Sequence, residues 1–372
     1  MSHGAQRNQP CWCGSGKKRK LCHPNSDNDV PTTPWEYEGR LIAEFGRKVC
    51  VAPKGRSECG GQIVKAHTVS RRGSLERIAR QGHVYTFVPS LQNLNAHGGA
   101  LHPVLRGIGA ASTFTGFCAK HDNELFAPLE KVGFTATAEQ CLLVGYRSLA
   151  REYFTKSSQL RMKEVYRHDL EALKRSEPAM ASLLSAHYSG VEIGLRDVLE
   201  HKRRFEAVLT SHAFDSVRAY VVEFNGIQPI LASGSLYPEF DFDGNEIVPP
   251  GSLLPSLLSH ASLCGRDQGT FVMVWLPDSD PGCLPLVRSF HRLGNHEAGA
   301  AIVRFLFEYC ENVHMRPQWW DEQSEAVRQQ LIQRMASAMR FAAPRLPNCL
   351  CPDGVTLDPW PIRARRTIGF SL

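Results

Sequence analysis

Phe117-Cys118-Ala119-Lys120-His121-Asp122-Asn123-Glu124-Leu125-Phe126 places a thiol and an imidazole three positions apart at the expected start of a helix. That spacing lets one helical turn present both side chains to a single ion. Upstream, Cys50 and Cys59 flank a loop containing Gly and Lys, and Gly60-Gly61 leads into Gln62-Ile63-Val64-Lys65-Ala66, an apolar strand followed by His67. Cys50, Cys59, Cys118 and His121 together make a tetrahedral Cys3His set, the composition of a closed structural zinc site.

A cysteine knuckle, a strand ending in histidine and a Cys-x-x-His opening a helix resemble, in that order, the treble-clef core of HNH endonucleases. The resemblance implies a ββα-metal zinc domain over residues 47–130, with His67 as the general base that activates water. It also implies that Asp122, beside the ligand His121, holds a catalytic divalent ion such as Mg²⁺ or Mn²⁺. Phosphodiester cleavage has a use for both, a base of near-neutral pKa and a cation on the leaving oxygen. Lys65, Arg71 and Arg72 would lie near the scissile backbone. The chain departs from the family pattern in several places. Eight residues separate Cys50 from Cys59, fifty separate His67 from Cys118, and Asp122 stands where histidine is commoner. Asn93 and Asn95 are equal candidates for the middle asparagine. His67 also fits a zinc ligand displacing Cys50, or a hydrogen-bonded strand-end residue. Asp122 also fits a helix start favoured by the dipole alone.

A second ligand set lies at the N-terminus in Asn-Gln-Pro-Cys-Trp-Cys-Gly-Ser-Gly-Lys-Lys-Arg-Lys-Leu-Cys-His, residues 8–23. Cys11, Cys13, Cys22 and His23 supply three thiolates and an imidazole in a segment too short and polar to fold without metal. With Pro10 and the Gly14-Ser15-Gly16-Lys17 core, this stretch resembles the SEC-C motif. That resemblance implies a zinc knuckle serving as an accessory tag for a protein or ribosomal partner. It names no reaction.

The chain of 372 residues carries a net charge of +6, unevenly spread. Residues 1–25 hold Arg7, Lys17, Lys18, Arg19 and Lys20 with no acid, and residues 47–82 hold nine Lys or Arg against Glu58 and Glu76. Positive charge thus falls on two segments that both carry cysteines, which suits a polyanion such as nucleic acid. A solvated basic face without a partner would look the same. The start has no apolar signal core, and no apolar run reaches membrane-spanning length, so the expectation is a cytoplasmic protein with reduced thiols and no membrane contact.

The organisation reads as α+β: a zinc knuckle over 1–24, a polar linker over 25–36 set off by Pro24, Pro31 and Pro34, an HNH-like zinc domain over 37–135, a long helical hairpin over 136–213 and an α+β domain over 214–372. Leu142, Leu143, Tyr146, Leu149, Ala150, Tyr153 and Phe154, and Val191, Leu195, Val198, Leu199, Phe205, Val208 and Leu209, form the two apolar stripes of the hairpin, broken near Pro178. Val217–Phe224 and Gly269–Trp275 read as strands, with turns at Asn225-Gly226 and Gly244-Asn245, and residues 297–312 and 319–341 as helices. No phosphate loop or dinucleotide fingerprint is present, so nucleotide-driven chemistry has no support. Two readings remain: a zinc-binding nuclease-like protein acting on nucleic acid, and a non-catalytic zinc scaffold.

Overall fold

Tyr220, Val222 and Phe224 face one side of a strand whose Ala219 and Val221 face the other, and all five are buried. A strand apolar on both faces needs cover on both. In the computed structural model this strand, β5 (Arg218–Phe224), lies within an eight-stranded sheet of order β10-β5-β8-β7-β6-β9-β2-β3. The described residues are 8–10, 16–22, 33–54, 58–163, 170, 173–174, 177–247, 254–338 and 344–372. The other strands of the sheet are β2 (His83–Phe87), β3 (Pro103–Gly107), β6 (Ile230–Leu236), β7 (Leu258–Cys264), β8 (Gly269–Trp275), β9 (Val313–Met315) and β10 (Ile362–Ile368). Every pairing in it is antiparallel.

A two-stranded antiparallel pair, β1 (Ile63–His67) with β4 (Thr113–Cys118), stands apart from this sheet, with His67 opposite Thr113 and Ile63 opposite Cys118. The fifty residues between His67 and Cys118 are therefore not a loop. They carry β2 and β3, which leave the pair and join the large sheet beside β9. The expected segments 37–135 and 214–372 both supply strands to that sheet.

The chain divides into two compact units, one of Met1–Gly46 with Thr155–Leu195 and one of Arg47–Phe154 with Arg196–Leu372. In the first, α1 (Pro34–Phe45) begins with a capping box in which Thr33 and Glu36 satisfy each other's backbone N–H, the arrangement that stabilises a free helix start. Tyr37 and Tyr188 share a hydrogen bond of 2.7 Å in this unit, and Arg161 pairs with Glu44.

In the second unit the short pair continues into α2 (Ala119–Leu125). The long helices α3 (Ala138–Arg161) and α4 (Pro178–Ser211) occupy the span expected for the hairpin and contribute residues to both units. Leu142, Tyr146, Leu149 and Ala150 of α3 pack with Phe205 and Leu209 of α4, with Ala219, Val221, Val272 and Val274 of the sheet, and with Phe117 and Phe126 beside the short pair. The opposite face carries α5 (Asp280–Arg292), α6 (Asn295–Tyr309) and α7 (Glu325–Ala338), whose Phe290, Phe305 and Met335 meet Tyr220, Phe271 and Trp275. Each such side chain contributes about 1.5–3 kcal/mol on burial.

Two expectations change. The helix expected over 319–341 is two, Pro317–Glu322 and α7, because Gln323 is extended and Ser324 caps the new start through Val327 N–H at 3.3 Å; the expected end lies outside the described residues. Gly226, at φ +95°, does turn the chain after β5, yet β5 and β6 are not neighbours. Two strands, β8 and β7, lie between them.

Candidate metal centre and its surroundings

Arg47–Val51 runs along β4, with Val49 N–H on Thr115 O at 3.2 Å, Val51 N–H on Gly116 O at 2.8 Å and Thr115 Oγ1 on Arg47 O at 2.8 Å. This alignment delivers Cys50 to the end of β4, where Cys118 caps α2 by accepting His121 N–H at 3.4 Å. Ala119 N–H on Gln62 O, at 2.8 Å, brings the start of β1 to the same place, and a side chain at Gly60 would press on Lys120 Cβ at 3.1 Å.

Cys50, Cys59, Cys118 and His121 converge, with one ligand atom from each within 4.8 Å of the others. His121 Nδ1 is 3.3 Å from Cys50 Sγ and 3.3 Å from Cys118 Sγ, separations that match neighbouring corners of a tetrahedron with metal bonds of about 2.0–2.3 Å. Among the described residues no other group of three or more such side chains is arranged to hold a metal. Cys118 and His121 are buried, whereas Cys59 is exposed. Burial pushes the Cys118 thiol up, but the N–H groups of His121 and Gly60 and the thiols of Cys59 and Cys50 outweigh it and bring the group down to about 6. For Cys50 burial dominates and its thiol is raised. Such N–H···S contacts favour the thiolate form that a metal ligand requires. Four protein ligands leave no open position, so the cluster is a site that could bind zinc and close around it.

The short strand pair and α2 carry the two remaining expected site residues. His67 ends β1, half-buried, and its Nε2 donates to Ile108 O at 3.1 Å. Burial lowers its pKa; the Ile108 carbonyl opposes that shift, while Arg71 and Arg147 add to it, which favours a neutral imidazole at pH 7. His67 is not in the metal cluster; Cys50 holds that corner. Asp122 sits in the first turn of α2, with Oδ1 buried and without a hydrogen-bond partner. Burial raises its pKa, Arg147 lowers it and Glu130 raises it.

Arg147 had no sequence signal, because it reads as one charge in an amphipathic helix. It is 5% exposed, its Nη2 is 2.6 Å from Glu130 Oε1, and its Cζ lies 3.8 Å above the Phe126 ring. Both Asp122 and His67 feel this guanidinium. Asn93, by contrast, is occupied locally, with its side chain bonded to His102 N and O at 3.1 and 2.8 Å. Lys65, Arg71 and Arg72 are exposed.

At the N-terminus Pro10 and Lys18 form an isolated antiparallel bridge, and Arg19–Cys22 makes one helical turn. Lys17, Lys18 and Lys20 are exposed and Cys22 is half-buried. The expected ligands Cys11, Cys13 and His23 lie outside the described residues, as does the side chain of Arg19.

Residues 7–23 match the family model of the SEC-C motif, which is often zinc-binding. The match is confined to those residues and lends nothing to the HNH-like segment. No curated protein and no solved structure matches the chain. No described helix is long and apolar enough to cross a membrane.

Proposed function

We propose that this is a zinc-binding, nucleic-acid-binding protein with two structural zinc sites, one of which staples an HNH-like phosphodiesterase centre. The observation that carries this reading is the order β1, β4, α2, with His67 at the strand end and Cys50, Cys59, Cys118 and His121 gathered where α2 begins. In it, zinc holds strand pair to helix, and His67 takes a proton from the attacking water. Asp122 orients a Mg²⁺ or Mn²⁺ ion, and Lys65, Arg71 and Arg72 meet the phosphate backbone. Cys11, Cys13, Cys22 and His23 hold the second zinc in the SEC-C-like tag. There Lys17, Lys18, Arg19 and Lys20 add affinity for nucleic acid, or the tag recruits a protein or ribosomal partner. Cysteines used as zinc ligands rather than in disulfides suit the cytoplasm.

A second reading, a non-catalytic zinc scaffold, is favoured by one observation. The positive charge acting on Asp122 is already the Arg147 guanidinium, held by Glu130 and Phe126. Incubating the zinc-loaded protein with plasmid DNA and with RNA in Mg²⁺ or Mn²⁺, beside His67→Ala, separates the two. Cleavage lost in the variant upholds the first; no cleavage, or cleavage unchanged in the variant, leaves the scaffold.

A further inference from the structure

Ile362 and Ala364 of β10 pair with successive residues of β5, Phe224 and Glu223, so Arg363 between them is the extra residue of a β-bulge. A bulge takes one residue out of the ladder and re-aims its side chain. Arg363 reaches past the end of β5, where its Nη1 donates to Gln268 Oε1 of the β7–β8 turn at 2.5 Å.

Three connections meet at this end of the sheet, and backbone hydrogen bonds hold them. Asn225 N–H donates to Pro361 O, Gly269 N–H to Gly226 O and Gly265 N–H to Gln268 O, each at 2.8 Å. Between them lies a cleft of about 510 Å³, lined by Arg266, Asp267 and Arg363 together with Asn225, Gly226 and Gln268. Its volume falls within the roughly 300–1,000 Å³ that ligand pockets occupy. A Cβ on Gly226 would meet nothing within 4 Å, so that wall is clear. Asn225, Gly226, Arg266, Asp267 and Arg363 are all exposed. The cleft is therefore open to solvent, a shape that half-covers a small molecule and lets a polymer pass through.

Two guanidinium groups and one carboxylate, Asp267, border the space. Among the described residues neither Arg266 nor Arg363 is in an ion pair, and the amide of Gln268 that holds Arg363 is neutral. That bond occupies one of five N–H groups and fixes the fork, whose geometry matches a phosphate.

The cleft is also tied to the segment that follows His67. Cys264 N–H donates to Ser74 Oγ at 3.1 Å, and Ile227 and Cys264 pack against the cluster of Val69, Leu75 and Ile78. On that segment Arg71, Arg72 and Arg77 are exposed beside a single acid, Glu76. Positive charge thus continues from the residues after His67 to the turn that carries Arg266. A line of cations leading to an open cleft is the footprint of a phosphate backbone.

We infer that Arg266 and Arg363 form a phosphate-binding cleft that takes one backbone phosphate of a nucleic-acid strand running on over Arg77, Arg72 and Arg71 toward His67. This rests on the nucleic-acid reading above. The other source of the same chemistry is free phosphate. Asp267 works against either anion, which gives the test its sign.

Affinity of the zinc-loaded full chain is measured by fluorescence anisotropy over a salt series for labelled single-stranded and duplex oligonucleotides, and for inorganic phosphate by calorimetry. Arg266→Gln and Arg363→Gln should each weaken oligonucleotide binding and reduce the slope of log K against log salt by about 1. Asp267→Asn should tighten binding about threefold. All three positions are exposed, and thermal unfolding of the variants should match the parent. Phosphate binding that both arginine variants lose, with no oligonucleotide binding, upholds the cleft and overturns the nucleic-acid reading. A slope unchanged in both arginine variants overturns the cleft and leaves that reading standing. Weaker binding in Asp267→Asn as well marks a structural effect and overturns the cleft, and binding of neither ligand overturns both.

Discussion

Asn312 Nδ2 donates to Thr68 Oγ1 across 3.0 Å, joining the residue after His67 to the segment that leads into β9, 244 positions away in sequence. The same amide reaches Ser112 and Ser233, so one side chain fastens the short strand pair's neighbourhood to the large sheet. Asn312→Ala would leave several buried hydroxyls and His314 Nε2 without their partner, at about 1–3 kcal/mol for each group left unmet. Urea denaturation should show a loss of several kcal/mol with zinc content unchanged; wild-type stability in this variant would remove the hub from the account.

Metal content offers a separate check on the two cysteine sets. Elemental analysis of the purified protein should give two zinc ions per chain. Cys118→Ser should remove one, together with stability of the β1–β4 pair, because an unliganded buried cluster loses the bonds that hold it. Cys11→Ser should remove the other and leave the first in place. Full zinc retention in Cys118→Ser would eliminate the site at Cys50, Cys59, Cys118 and His121.

Acid should destabilise the protein through its buried histidines. His260 has no exposed surface, lies between Phe271 and Phe305 at 5.7 and 5.2 Å, and has no partner on either nitrogen. Burial lowers its pKa from 6.5 to about 3, and burial together with Arg151, His67 and Arg106 takes His314 to about 3 as well. A group depressed in the folded state stabilises above its unfolded pKa and loses that contribution as pH falls. The unfolded chain takes up a proton below 6.5 that the folded chain refuses until about 3. Each histidine should therefore contribute a slope of about 1.4 kcal/mol per pH unit between those limits. His260→Leu should flatten the stability profile by that amount between pH 6 and 4, and an unchanged slope would refute its burial.

Two helical glycines should respond oppositely to alanine. At Gly145 of α3 a Cβ would stand 2.5 Å from Val274 Cγ1 and 3.1 Å from Phe205 Cε1, whereas at Gly190 of α4 nothing lies within 4 Å. Helix propensity alone favours alanine at either position by about 1 kcal/mol. Overpacking against a stiff β-branched neighbour costs about 1–3 kcal/mol and should win at Gly145. Thermal unfolding should show Gly145→Ala less stable and Gly190→Ala equal or more stable than the parent. A stabilised Gly145→Ala would mean that α3 does not approach β8 this closely.

Several elements were legible from local pattern. The strand expected at Gln62–Ala66 appears as β1, and those expected at Val217–Phe224 and Gly269–Trp275 appear as β5 and β8. Their apolar and β-branched runs favour extended backbone wherever they are buried. The grouping of Cys50, Cys59, Cys118 and His121 was also readable, because three thiols and an imidazole have few other reasons to flank a strand and open a helix. His314 and Arg147 were not. A lone histidine in Val313-His314-Met315 and a single arginine on an amphipathic helix carry no pattern that marks them out.

Residue chemistry and short spacing thus determined which side chains can ligate a metal, where the backbone extends or coils, and that residues 7–23 carry a SEC-C motif. Tertiary structure alone decided that β2 and β3 leave the short pair for the large sheet, and that Asn312 meets Thr68. It also decided that His314 is buried without a partner for Nδ1. Spacing and turn chemistry act over a few residues, whereas strand partners are chosen by register and by the burial of both sheet faces, which depend on segments hundreds of positions apart.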